Sequence, residues 1–357
     1  MGKRSLPVES HTIEDINGDV SRAANETQDS SVVLDDSAGL PFWLANPVLI
    51  ESASDPTPIT ELDFGLSEKT LKALSKNGIT SLFPVQMATI PVLLRQKQKS
   101  SSGSSSLFRS WGSGDLCVAA PTGSGKTLSF VLPILEQLRD RVVTRLRAIV
   151  ILPTRDLATQ VKETFDAFMV GTDLKIALST GHSPFLEEQQ KLVKPKYSSL
   201  ASLSNSLLSQ LLDDDDDCDD DESEPERSLP ATLLEDQSKI DILVCTPGRL
   251  MDHLEGTKGF TLKDLEILVI DEADRLLSQS YQNWLPNLLQ RIRLDQQQTI
   301  DNDNDNNSIT RKWLFSATLT RNPEKLGSLC LNDPTFIHVT GAGGERFSIP
   351  KTLKVIS

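Results

Sequence analysis

The stretch from Leu116 to Leu132 constrains this 357-residue chain more than any other. An apolar run of strand length, Leu116–Ala120, leads into Gly123-Ser124-Gly125-Lys126-Thr127, and Leu128-Ser129-Phe130-Val131-Leu132 then continues as a helix. Strand, glycine loop and helix in that order make an anion site. The glycines let backbone N–H groups turn inward, and the helix N-terminus adds a favourable dipole. Lys126 reaches the terminal phosphates of a nucleotide as a point charge, Thr127 offers magnesium a hydroxyl, and Thr122, Gly123, Ser124 and Gly125 form the cradle. Ala120 stands where the general pattern has its first glycine. The plainer alternative is a glycine-rich turn beside a surface lysine. The order strand, loop, helix favours the phosphate site.

A second apolar run, Leu265–Ile270, ends in Asp271-Glu272-Ala273-Asp274. An acidic tetrapeptide usually marks a solvated helix start. Three acids at the exit of a buried strand are costly unless a cation sits there. Magnesium needs a hard oxygen ligand, often through water, which suits Asp271. Glu272 is placed to orient or deprotonate an attacking water. The two segments together predict a site for a nucleoside triphosphate with Mg2+.

Four further segments join these two in a string that resembles the DEAD-box ATP-dependent RNA helicases. Ala119–Thr127 is similar to that family's phosphate loop, which tolerates Ala120, and Asp271–Asp274 to its name-giving motif. Pro153-Thr154-Arg155-Asp156-Leu157-Ala158-Thr159-Gln160 and Thr246-Pro247-Gly248-Arg249-Leu250 resemble its first two RNA-contact motifs, with Asp156 where Glu is usual. Ser316-Ala317-Thr318 resembles the motif that couples hydrolysis to strand separation. Gly78 to Gln86 resembles the adenine-reading segment. The likeness runs from about Leu66 to Val339. It implies a RecA-like fold, with ATP and Mg2+ held by Gln86, Thr122–Thr127 and Asp271. It assigns catalysis to Lys126, Asp271, Glu272, Ser316 and Thr318, and RNA binding to Pro153, Thr154, Arg155, Thr246, Pro247, Gly248 and Arg249.

Trp43–Pro47, Phe83–Gln86 and Ala317–Leu326 resemble most the subgroup implicated in nucleolar maturation of the large ribosomal subunit. That likeness implies a nuclear, nucleolar protein, a monomer working among pre-ribosomal proteins. Two departures stand out. Glu61 occupies the place, 25 positions before the glutamine, where the family usually has an aromatic residue that stacks on adenine, and Phe64 lies three residues on. The family also has a second domain with an arginine-rich motif, and nothing after Val339 resembles it. The chain is therefore expected to hold the first domain alone, over 41–342, with 343–357 beginning a linker. On its own it would be a poor ATPase, or only a weak ATP- and RNA-binding module. A different phosphate-loop ATPase, such as a DNA helicase, is the other alternative.

Composition fits a nucleic-acid binder once its bias is located. The net charge is −14, yet residues 213–226 alone hold eleven acids and no base. Residues 1–40 hold eight acids against three bases, and residues 294–310 four acids and no base. The remainder is mildly basic, as binding to a phosphate backbone requires. The acidic runs read as disordered, solubilising segments in the terminus 1–40 and the inserts 194–237 and 295–310, and the Ser/Gly-rich insert 99–114 reads as a flexible loop. The sharper alternatives for 213–226 are a docking strip for a basic protein or an internal competitor for RNA. Aromatic residues are few and none alternate with bases, which favours backbone contact over base stacking. For Arg155 and Arg249 a surface salt bridge, for instance to Asp156, remains the alternative to RNA.

Cys117, Cys218, Cys245 and Cys330 lack metal spacing, and Cys117 and Cys245 fall on apolar strands, as reduced core thiols do. The four histidines form no cluster. No apolar stretch is long enough to span a bilayer, and a soluble intracellular protein is expected.

Apolar, β-branched runs alternate with helical ones. Strands are predicted at Leu116–Ala120, Ala148–Leu152, Lys175–Ser179, Ile240–Cys245, Glu266–Ile270, Lys312–Phe315 and Phe336–Val339. Helices are predicted at Glu68–Lys76, Gln86–Arg95, Lys126–Arg139, Thr154–Phe168 and Trp284–Arg293, and another begins at Thr246-Pro247-Gly248. Near-continuous apolar strands between helices predict a parallel sheet covered on both faces, with ligands at the carboxyl ends of its strands.

Overall fold

In the computed structural model the described residues are 41–51, 55–62, 64–95, 114–194, 237–278, 283–300, 310–318, 325 and 327–340. The chain divides into Met1–Gly39, outside the described residues, and Leu40–Ser357, which holds everything below. In chain order the elements are α1 (Phe42–Ala45), β1 (Val48–Glu51), β2 (Thr57–Pro58), α2 (Glu68–Lys76), β3 (Ser81–Leu82), α3 (Pro84–Arg95), β4 (Leu116–Ala119), α4 (Lys126–Leu138), β5 (Ala148–Ile151), α5 (Arg155–Phe168), β6 (Ile176–Ser179), α6 (Phe185–Leu192), β7 (Val193–Lys194), β8 (Gln237–Ser238), β9 (Ile242–Cys245), α7 (Pro247–Gly256), β10 (Ile267–Asp271), α8 (Ala273–Ser278), α9 (Trp284–Ile300), β11 (Arg311–Ser316) and β12 (Thr335–Thr340).

Eight strands form one parallel sheet in the order β1-β12-β4-β11-β10-β5-β9-β6. Alternation along each strand divides the core in two. Val118, Ala148, Val150 and Val269 point to a face covered by α2–α5, with Leu74, Ile90, Phe130 and Phe165. Cys117, Ile149, Ile151 and Leu268 point to the other, covered by α1 and α6–α9, with Leu44, Leu192, Leu250, Leu276 and Leu288. Because both faces are covered, these strands carry no polar side, which is why they read as continuous apolar runs. Each fully buried aliphatic side chain contributes about 1.5–3 kcal/mol. Burial pushes the Cys117 and Cys245 thiols well above the usual thiol range.

All seven predicted strands are present, with ends shifted by one or two residues. Strand β1 was not expected. It pairs with β12 from Val48↔Ile337 to Glu51↔Thr340 and closes one edge of the sheet. Helix α9 corrects the expectation of a flexible tract over 295–310, since it runs on to Ile300. Asp295 is buried and its Oδ2 accepts the Leu262 N–H at 2.7 Å, while Gln296 Nε2 donates to the Leu265 carbonyl at 3.0 Å. Two polar side chains of the tract thus bind backbone groups of the segment before β10. Residues 301–309 lie outside the described residues, as do 1–40, 99–113 and 195–236 of the other segments expected to be flexible. Among the described residues no helix is long and apolar enough to cross a membrane.

Candidate ATP and RNA site

The carboxyl ends of β4, β11 and β10 are neighbours, and each ends in a predicted functional segment. After β4 the loop turns through Gly123 (φ 80) and Gly125 (φ 90), left-handed conformations that favour glycine. Gly125 is also the N-cap of α4 and supplies no side-chain cap, so the first N–H groups of α4 face the loop. A side-chain carbon at Gly125 would stand 2.4 Å from Gln86 Nε2. That close approach is used: Gln86 Nε2 donates to the Gly125 carbonyl at 3.1 Å, and Gln86 Oε1 accepts the Phe83 N–H at 2.8 Å.

Lys126 is buried. Its Nζ donates to the carbonyls of Ala120 (2.7 Å) and Pro121 (3.0 Å). Burial lowers its pKa, opposed by the charges of Asp271, Glu272 and Asp274. At the end of β10, Asp271 is 6% exposed. Burial raises its pKa to about 6, opposed by the Glu272 N–H, which donates to Asp271 Oδ1 at 2.9 Å, and by Lys126. Glu272 holds a left-handed backbone, φ 52, a strained conformation for a non-glycine residue and one that clusters at functional sites. Ser316, the last residue of β11, lies 2.7 Å from Asp274 Oδ1 and 2.7 Å from the Thr318 carbonyl, with one proton to give. Thr318 Oγ1 donates to the other Asp274 oxygen at 3.3 Å. Asp274 therefore joins the acidic segment to Ser316 and Thr318.

These residues fit a phosphate–magnesium group. Ser124 Oγ is buried and has no hydrogen-bond partner among the described residues. Asp271 is a desolvated carboxylate facing a lysine. Among the described residues no three His, Cys, Asp or Glu side chains form a self-sufficient metal cage. Magnesium that keeps waters and phosphate oxygens as ligands needs only one or two carboxylates.

Of the two residues weighed for adenine stacking, Glu61 ends an exposed 3-10 turn, and Phe64 is half-buried against the core. Phe83, in the sequence a subgroup cue and not a predicted site residue, is 48% exposed, and its Cδ2 would be 3.0 Å from a side-chain carbon at Gly125.

The predicted RNA residues follow β5 and β9, on the β6 side of the same edge. Thr154 caps α5, accepting the Leu157 N–H at 3.4 Å, and Arg155 begins the helix, exposed. Thr246 caps α7 with Pro247 in its first turn, though the Thr246 hydroxyl makes no cap bond. Arg155 and Arg249 flank Gly181 after β6: a side-chain carbon there would stand 3.7 Å from Arg155 Nη2 and 3.8 Å from Arg249 Nε. Arg249 does make a salt bridge, with Glu188 rather than Asp156, at 2.8 Å.

Glu188 was missed in the sequence. It is 3% exposed on α6 and accepts from Ser179 Oγ (2.7 Å), Gly181 N (3.1 Å) and Arg249 Nε (2.8 Å). Burial alone would raise its pKa, but these bonds and one from His253 hold the carboxylate below its usual range. His253 is fully buried and its pKa is lowered by burial, against the pull of Glu188. As a neutral ring it donates from Nε2 to Glu188 (3.1 Å), and Nδ1 accepts from Thr257 (2.8 Å). Phe185 stacks on His253 and lies 4.8 Å under the Arg249 guanidinium. The signal available was the spacing Phe185, Glu188, Leu192 on one helix face, where an acid breaks an apolar stripe.

The DEAD/DEAH box helicase family profile matches residues 83–220 and 218–326. The chain is 35% identical over 336 residues to DEAD-box ATP-dependent RNA helicase 1 of Oryza sativa subsp. japonica, covering 87% of this chain and 56% of that one. It is 37% identical over 313 residues to ATP-dependent RNA helicase DDX51 of Mus musculus, covering 83% of this chain and 43% of that one. With ATP-dependent RNA helicase dbp6 of Schizosaccharomyces pombe it shares 36% identity over 349 residues, covering 88% and 50%. The chain thus spans about half the length of the curated relatives it matches. Among solved structures, Mss116p bound to ssRNA and AMP-PNP has the same fold, with a TM-score of 0.54 at 22% identity over 83% of this chain and 48% of that one. The chain belongs to the DEAD/DEAH box helicase family.

Proposed function

We propose that the chain provides the ATP-binding half and the first RNA-binding surface of an ATP-dependent RNA helicase. The observation that carries this reading is the adjacency of β4, β11 and β10, whose carboxyl ends lead into the segments of Lys126, Ser316 and Asp271, with Lys126 in the field of Asp271. Phosphoryl transfer requires positioning and charge compensation more than covalent chemistry. The loop N–H groups and Lys126 hold the phosphates. Thr127 and Asp271 would hold Mg2+, which would supply positive charge against the phosphates. Glu272 orients the attacking water and accepts its proton. Asp274, bonded to Ser316 and Thr318, carries the state of this site to the next strand end. Gln86 and the half-exposed ring of Phe83 lie where the loop meets the adenine-reading segment.

RNA is held through its backbone. The N-termini of α5 and α7 receive phosphates, with Arg155 and Arg249 as paired cations. In the cell the proposed setting is maturation of the large ribosomal subunit in the nucleolus, as a monomer among pre-ribosomal proteins. The subgroup cues at Trp43–Pro47 and Ala317–Leu326 support it, and co-sedimentation with pre-ribosomal particles tests it.

The decisive experiment compares ATP binding and turnover, with and without RNA, for residues 1–357 and for a chain extended through a second helicase domain. An arginine supplied from a second side contributes roughly 10³–10⁵ in rate where it is used. Residues 1–357 alone are expected to turn over ATP slowly, without stimulation by the RNA they bind, and to unwind nothing, and the extended chain to be RNA-stimulated. Lys126→Ala should lower ATP affinity at least about tenfold with circular dichroism unchanged, the loss of a charge-assisted contact of about 1.5–3 kcal/mol. Undiminished ATP binding by that variant would overturn the site, and equal stimulation by DNA would overturn the RNA assignment.

A further inference from the structure

Beside the edge strand β6 lies a groove of about 490 Å³ whose walls carry Lys162, Lys175, Lys191 and Lys239. These lysines come from four places: α5, the approach to β6, α6 and the segment after β8. An edge strand is often guarded by lysines of its own. Here three other segments deliver lysines to the same trough, which edge protection does not require. Lys162 pairs with Asp166 at 2.5 Å, and Lys239 Nζ donates to the Gln190 carbonyl at 2.7 Å. Lys175 and Lys191 are exposed and have no ion pair among the described residues. Among the described residues the one acid in the lining, Glu188, is committed to Arg249. The groove is therefore strongly cationic.

Its upper end is lined by Thr180, His182 and Ser183. This is the loop to which Arg249 is tied, through Nη2 to the Ser183 carbonyl at 3.3 Å, and which Arg155 flanks at Gly181. The trough thus opens at the pair of arginines and runs along β6, the end strand of the sheet among the described residues, about 13 Å for four extended residues. Its floor, Ile176 and Leu178, is half-buried and apolar, suited to a sugar face between phosphates.

We propose that this lysine trough is a second RNA-binding segment, which takes the strand as it leaves Arg155 and Arg249 and holds it by its phosphates. The inference rests on the RNA reading of those arginines. It adds a length dependence that the arginines alone do not give.

The test measures binding of single-stranded RNAs of about 6 and about 14 nucleotides, sizes within the range of one binding module, by residues 1–357 at several salt concentrations. The variants are Lys175→Gln/Lys191→Gln, Lys69→Gln/Lys76→Gln on α2 as an equal loss of charge elsewhere, and Arg249→Ala. The groove variant should lose about tenfold in affinity for the long RNA alone. Its slope of log K against log salt should shrink by about 1.4, since each single-strand phosphate contact contributes about 0.7. ATP binding and the short RNA should be unaffected, and the α2 variant should match the unaltered chain. Undiminished binding of the long RNA, or an equal loss for both lengths, overturns the groove. Arg249→Ala should weaken both lengths. If it weakens neither while the groove variant retains its length-dependent loss, the arginine assignment falls and the groove stands. If the unaltered chain binds neither RNA, both fall.

Discussion

Glu188 holds Arg249 by a 2.8 Å hydrogen bond although the two lie 61 residues apart in the chain. The carboxylate fixes the guanidinium over Phe185, beside Gly181, and ties it through Ser179 and His253 to the sheet. Glu188→Gln keeps the shape and removes the charge, leaving Arg249, 18% exposed, without its principal partner. Partial exposure tempers the cost of breaking the pair, to about 1–3 kcal/mol. The expected outcome is a fall of several-fold in RNA affinity and a lower melting temperature, with ATP affinity unchanged. A parallel loss of ATP affinity would show Glu188 to be part of the general core rather than a positioning residue for Arg249.

The Gln86–Gly125 contact makes the phosphate loop depend on a segment 39 residues upstream. Gln86→Ala removes both its bond to the loop carbonyl and its bond from the Phe83 N–H. Each is worth about 0.5–1.5 kcal/mol. Nucleotide affinity should fall by roughly fivefold to a hundredfold, measured by titration with a fluorescent ATP analogue. Gly125→Ala should do worse, because its φ of 90 is strained for alanine and the new carbon meets Gln86 Nε2 at 2.4 Å. Equal affinities for the two variants would mean that the loop is not built around this approach.

The part of this molecule that was legible in the sequence is the part whose signal is local. Leu116–Ala120 and Leu265–Ile270 read as buried strands because a sheet covered on both faces leaves no polar alternation. The segments after them carry their chemistry within eight residues of the strand end. Strand β1 was not legible, since Val48–Glu51 follows Pro47 in a short, half-exposed run and is a strand only through pairing with β12. The reach of α9 to Ile300 depends on backbone groups near Leu262 and Leu265, which no window around Asp295 contains. Glu188 illustrates the general limit. An acid at a core position looks like an error until the arginine and histidine that surround it arrive from α7.

Asp271 should make the magnesium-free protein less stable as pH rises. Its folded pKa, about 6, lies above the ordinary value of 3.8, because burial disfavours the charge. The folded state then binds the proton more tightly than the unfolded state does. That stabilisation is full below about pH 4 and is lost as pH rises through about 6, a change of about 1–3 kcal/mol. Asp271→Asn should remove this dependence and raise the melting temperature at pH 8 in chelator, while abolishing Mg2+-dependent nucleotide binding. A melting temperature at pH 8 that falls in the variant would show that the carboxylate is structurally required.

Deleting residues 213–226 should leave the fold's stability nearly unchanged. The reason lies in the ends of the surrounding segment. Val193–Lys194 and Gln237–Ser238 pair antiparallel, Val193↔Ser238 and Lys194↔Gln237, so the backbone leaves and returns at one point. Lys239 N–H and the Leu192 carbonyl extend the clasp at 2.9 Å. With the ends so held, shortening the connection changes closure entropy only logarithmically, by about 0.6 kcal/mol for each doubling or halving of length. The fourteen residues removed carry eleven acids, so the larger effect is electrostatic. Their removal takes negative charge away from a chain whose clasp adjoins Lys191 and Lys239, and RNA affinity at low salt should rise, with the gain vanishing at high salt. A drop in melting temperature of more than a few degrees would mean that the deleted residues make contacts the fold relies on. An RNA affinity unchanged at low salt would identify the acidic run as a solubilising insert with no part in RNA competition.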